Sequence, residues 1–174
     1  GWDPVPIVIG QDGRFSFPSA DVPGRPGEPM ALGDAVSRMA GLSPACVFPA
    51  LHGLYGEDGR LQALCDLMHV PYVGSDVIGS AVAMDKWLAK TVFRAHGVPT
   101  ADAVLLDGGD LARPGWEAAV IERLGLPCVV KAPRQGSSLG IHIVHAAADL
   151  PGAARDALSL RTRVMVEAFI RGRE

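Results

Sequence analysis

The chain has 174 residues, which at roughly 150 per domain allows one domain or two small ones. Hydrophobic residues make up 48% and charged residues 20%, a globular composition that excludes a disordered chain. The net charge of −3 gives no reason to expect a polyanion partner, and no apolar run approaches the ~20 residues of a membrane span.

Val5 to Ile9 is a short apolar run, ended by the turn signal Gly10-Gln11-Asp12-Gly13. Phe15 and Phe17 alternate with polar neighbours, so Arg14 to Phe17 is expected to return as a strand. Pro18 to Pro29 holds enough proline and glycine to read as a surface loop. Ala45 to Leu51 is continuous and apolar and predicts a buried parallel strand, covered on both faces. His52-Gly53 follows, then Asp58-Gly59 ahead of Leu61, Leu64, Leu67 and Met68. That spacing predicts a helix with Asp58 as cap. Val70 to Val73 is expected to be a further strand.

Ser80 to His96 reads as one helix, with Ala81, Met84, Leu88, Val92 and Ala95 on one stripe. Gly97 suits the position just past its end, and Pro99 prevents continuation. Ala103 to Leu106 is an expected strand and Trp116 to Leu124 an expected helix stopped by Gly125. Cys128 to Lys131 and Ile141 to Val144 form an expected hairpin. A helix over Ala148 to Leu160 and a strand over Val164 to Phe169 complete the order, and no internal repeat is visible. The first part suggests an open α/β sheet and the hairpin a second, antiparallel unit.

Cys46, Cys65 and Cys128 are odd in number, widely spaced and in apolar contexts, so they read as reduced core cysteines. No signal peptide is visible at Gly1, and a cytoplasmic protein is expected. His69, His96, His142 and His145 show no ligand spacing and read as structural or solvated.

Four constellations carry chemistry or ordinary structure. In V-V-K-A-P-R-Q-G-S-S-L-G, Lys131 stands beside a glycine-serine loop. Glycines allow close backbone approach, and successive N–H groups make an anion-binding concavity. The stretch is either a phosphate clamp or a plain hairpin loop; it is not a P-loop, whose residue order is absent. His52-Gly53-x-x-Gly56-Glu57-Asp58-Gly59 lies where open α/β sheets bind ligands, or is a polar loop with a helix cap. Lys86 and Lys90 share a helix face at i,i+4, either on a ligand or in solvent. Glu167 lies within the apolar stretch Val164 to Ile170 and can accept from an adenine amine or ribose, or be surface charge.

Together F-P-A-L-H-G-L-Y-G-E-D-G-R-L-Q-A-L (Phe48 to Leu64), P-Y-V-G-S-D-V-I-G-S-A-V-A-M-D-K-W-L-A-K (Pro71 to Lys90), K-A-P-R-Q-G-S-S-L-G (Lys131 to Gly140) and V-E-A-F-I-R-G-R-E (Val166 to Glu174) resemble the D-alanine–D-alanine ligases of the ATP-grasp superfamily. The resemblance implies an α/β fold. A partial Rossmann-like, pre-ATP-grasp parallel-sheet domain over residues 1–80 would precede the first, α+β part of an ATP-grasp domain over 81–174. It implies joining of two D-alanines with ATP and Mg2+ through an acyl phosphate, for peptidoglycan precursors. Lys86 and Lys131 would contact ATP phosphates, under a loop of Gly136, Ser137, Ser138 and Gly140. Ser137 would orient substrate, and His52 and Glu57 would line the first D-alanine site. Glu167 and the backbone near Ile170 would hold adenine, and Glu174 the ribose. D-alanine and ATP are the partners implied and a homodimer is allowed; nucleic acid and membrane are not expected.

Two departures stand out. The family usually has proline directly after the loop lysine, whereas Ala132 precedes Pro133 here. The family's opening Gly-Gly-x-Ser-x-Glu segment would precede Gly1, and its metal carboxylates would follow Glu174. An incomplete chain, unable to ligate by itself, is therefore expected. A sister ligase making D-alanyl-D-lactate or a secondary-metabolite dipeptide, or a non-catalytic nucleotide-binding module, are the alternatives.

Overall fold

The computed structural model describes residues 1–135, 140–160 and 163–172. The chain divides into two compact units, Gly1–Phe48 with Cys65–Tyr72, and Pro49–Leu64 with Val73 onward.

In the first unit β1 (Val8–Ile9) and β2 (Phe15–Ser16) pair antiparallel, as the turn between them predicts. The turn closes through Gly10 N donating to Arg14 O at 2.8 Å. Helix α1 (Leu32–Leu42) buries Ala35 and Met39 against Phe15 and Phe17. Its signal in the sequence is weak, because only that i,i+4 pair faces inward and Gly33 and Gly41 dilute its pattern.

The expected strand over Ala45 to Leu51 does not form, and Phe48 is 75% exposed. Val47 makes one parallel bridge to Tyr72, through Val47 N donating to Pro71 O at 2.8 Å. Pro44, Pro49 and Pro71 have no N–H to extend a ladder, which also removes the strand expected over Val70 to Val73. Cys46 is exposed, contrary to the core reading, whereas Cys65 and Cys128 are fully buried.

Helix α2 (Arg60–Leu67) carries the chain from one unit to the other; Asp58 Oδ1 accepts from Arg60 N at 3.2 Å. The helix expected over Ser80 to His96 is two, α3 (Val77–Met84) and α4 (Lys86–Ala95). They break at Asp85, whose backbone is extended and whose carboxylate accepts from Trp87 N and Leu88 N at 3.0 and 3.2 Å. Aspartate competes with the helix backbone in this way, so it caps α4 instead of continuing α3.

Then come β3 (Ala103–Asp107), a short α5 (Gly108–Leu111), α6 (Trp116–Leu124), β4 (Cys128–Lys131), β5 (His142–Val144), α7 (Leu150–Leu160) and β6 (Arg163–Ala168). The last four strands form one antiparallel sheet in the order β3-β6-β4-β5. One face is apolar: Val130, Val164 and Val166 pack with Val120 of α6 and Leu150 and Ala154 of α7. Strand side chains alternate between faces, so Lys131 and Glu167 emerge on the other face. Among the described residues no helix is long and apolar enough to cross a membrane.

Candidate functional site

The register of β4 and β6 builds the site. Val129 pairs with Glu167 and Lys131 with Met165, so Lys131 and Glu167 are diagonal neighbours, within reach of long side chains. Lys131 Nζ bonds Glu167 Oε1, and Lys90 Nζ reaches Glu167 Oε2 at 2.9 Å. Lys90 also donates to Thr100 Oγ1 at 2.8 Å and Ala101 O at 2.9 Å. Burial alone would raise the Glu167 carboxyl; hydrogen bonds from Lys131 and Lys90 outweigh it and hold the group below its ordinary value.

Lys86 lies one helical turn before Lys90, at the start of α4. Its Nζ donates to Gln135 O at 2.6 Å and its backbone N to Pro133 O at 3.0 Å. Burial pushes its ammonium down, and repulsion from Lys131 adds to this, against the pull of Glu167 and Asp85. Arg134 Nε donates to Asp85 Oδ2 at 2.7 Å. Burial would raise Asp85 too, but Arg134 and the Leu88 and Trp87 N–H groups lower it. Pro133, Arg134 and Gln135 are thus each tied to Lys86 or to Asp85, the cap of α4. The Ala132-Pro133 order fits this: Ala132 is buried and the Pro133 carbonyl is used. Gly136, Ser137, Ser138 and Glu174 lie outside the described residues. Gly140 has φ +67, a left-handed backbone that favours glycine just before β5.

The second constellation is separate. Glu57 accepts from Gly53 N, Gln62 Nε2 donates to Gly56 O at 3.0 Å, and a Cβ on Gly56 would collide with Leu51. Glu57 lines a cleft of about 290 Å3 with Gln62, Ser75, Gly79 and Ser80. His52 is exposed and does not line it, and neither do Lys86, Lys131 or Glu167. Ile170 is 69% exposed. The structure therefore gathers Lys86, Lys131 and Glu167 together, with Glu57 apart from them.

Two family models match in tandem, one described as D-ala D-ala ligase N-terminus over residues 2–75 and one as D-ala D-ala ligase C-terminus over residues 92–174. The chain belongs to the D-alanine–D-alanine ligase family. A D-alanine–D-alanine ligase from Chromohalobacter salexigens is 44% identical over 142 residues, 82% of this chain and 44% of that protein. The D-alanine–D-alanine ligase structure from Coxiella burnetii superposes with a TM-score of 0.76 at 32% identity, covering 95% of this chain and 53% of that one. The VanG D-Ala:D-Ser ligase from Enterococcus faecalis gives 0.78 at 27%, covering 98% and 54%. The fold is that of these ligases, an ATP-grasp fold, and the chain spans about half the length of the relatives it matches.

The ligase family implies ATP use, and the lysine cluster fits a polyphosphate. Two partly buried ammonium groups lie close enough to repel, and among the described residues the Lys86 ammonium is hydrogen-bonded only to a neutral carbonyl. Mg2+ is different: among the described residues no group of three or more His, Cys, Asp and Glu could hold a metal ion.

Lys90, Thr100, Asp85 and Arg134 join this cluster in the structure. Lys90 had a signal, its i,i+4 spacing from Lys86. Arg134 had none, because its partner lies 49 residues away.

Proposed function

We propose that this chain is the nucleotide-gripping part of an ATP-dependent ligase that joins two D-alanines for peptidoglycan precursors. The observation that carries the reading is the cluster of Lys86, Lys131 and Glu167, formed where the family motifs predict a phosphate grip. ATP phosphorylates the first D-alanine carboxylate; the amine of the second then attacks the acyl carbon, and phosphate leaves. Both ATP and the carboxylate are anionic, so cations held in a low-dielectric site supply most of the rate. Lys131 and Lys86 would bind the phosphates. The remaining lone pairs of Glu167 would accept from adenine, beside the backbone at Ile170. Glu174 would take the ribose, and Gly136, Ser137, Ser138 and Gly140 would cover the phosphates. His52, Glu57 and Ser137 would serve the first D-alanine. Mg2+ would neutralise phosphate charge. A division near residue 80 between a pre-ATP-grasp and an ATP-grasp domain belongs to the same reading, as does a cytoplasmic site of action.

The likeness to the D-Ala:D-Ser ligase supports a second reading, in which the second substrate is not D-alanine. In the whole protein, Lys131→Ala is expected to lower ATP turnover by about 100-fold or more, with the circular dichroism spectrum unchanged. An unchanged rate would count against the assignment.

A further inference from the structure

We infer that Lys90 is a positioning residue that lets Lys131 be shared with nucleotide phosphate, by holding the other oxygen of Glu167. The inference rests on the nucleotide reading of the Lys86–Lys131–Glu167 cluster.

Lys90 cannot be a phosphate ligand in this arrangement. An ammonium has three N–H donors. Its three acceptors are Thr100 Oγ1 at 2.8 Å, Ala101 O at 2.9 Å and Glu167 Oε2 at 2.9 Å. No donor is left, and the residue is only 8% exposed. Lys131 is different: Glu167 Oε1 is its only ion-pair partner among the described residues.

The two lysines therefore have unequal tasks on one carboxylate. When Lys131 gives N–H bonds to an anion, Glu167 loses part of its compensation. A buried carboxylate left without a cation is costly. Lys90 remains bonded to it, through an ammonium already fixed by Thr100 and Ala101. It thereby also fixes where Glu167 sits against any adenine.

The test is a double-mutant cycle in the whole protein, with K90M, E167Q and K90M/E167Q. The readouts are the dissociation constant for ATP and the KM for D-alanine. K90M is expected to weaken ATP about tenfold, and by no more than about threefold in the E167Q background, where the charge to be matched is gone. The KM for D-alanine should stay unchanged in K90M. A merely structural lysine would lower the fraction of active protein and leave the ATP constant alone, and that result overturns the inference. Equal weakening in both backgrounds overturns it too, because Lys90 would then act without Glu167. Should K90M not fold, T100V removes one bond from the same ammonium and is expected to weaken ATP about threefold; no change overturns the inference. A wild-type protein that binds no ATP would instead sink the nucleotide reading itself.

Discussion

Glu167 is where charge, burial and register meet. Its side chain is 13% exposed and both oxygens are taken by lysines. Replacing it with glutamine leaves two partly buried cations unmatched, at a cost of about 3 kcal/mol. The pH dependence has a definite sign. The folded carboxyl lies below its unfolded value of 4.5, so its stabilisation is complete above that pH and is lost as pH falls through the folded value. The melting-temperature gap between wild type and Glu167→Gln should be widest near neutrality and close as pH drops below about 4.5. A gap constant across that range contradicts the ion-pair account. At this scale the sequence was partly legible. Lys86, Lys131 and Glu167 are visible because their motifs are local. The bond from Lys90 to Glu167 is not, since it depends on how α4 meets a sheet whose strands are far apart in the chain.

Elements were legible where the signal lies inside the element. Trp116–Leu124 has its period and its stopping glycine, and Cys128–Lys131 forms with the expected bounds. Two misreadings have specific causes. The stripe from Ala81 to Ala95 crosses Asp85 without a break in hydrophobic period, so nothing in the period reveals that a carboxylate restarts the helix. The apolar run Ala45 to Leu51 offers burial by composition, but Pro49 within it and Pro44 before it have no N–H to give a ladder. Asp85 therefore matters more than its position suggests. It caps α4 and holds Arg134, the residue after Pro133 at the base of the glycine-serine loop. Asp85→Ala is expected to cost about 1–2 kcal/mol in chemical denaturation of the whole protein. A variant as stable as its parent would show that the helix break does not depend on the cap.

At the scale of the molecule, each unit has its own apolar cluster, Phe15, Phe17, Ala35 and Met39 in the first, and the α6, α7 and sheet residues in the second. The second sheet divides its faces by task. Val130, Val164 and Val166 fill the core, while Lys131 and Glu167, one residue along on the same strands, are presented opposite. Strand alternation alone gives that division, which is why a lysine can end an apolar run without disturbing the core. The order of the four motifs carried the family and, through it, the α/β fold class; the strand order β3-β6-β4-β5 is encoded by no local pattern. The most direct measurement is phosphate release from ATP by the whole protein, with D-alanine present and absent. Release is expected to require D-alanine and to yield the D-alanyl-D-alanine dipeptide. ATP binding without D-alanine-dependent release would contradict this.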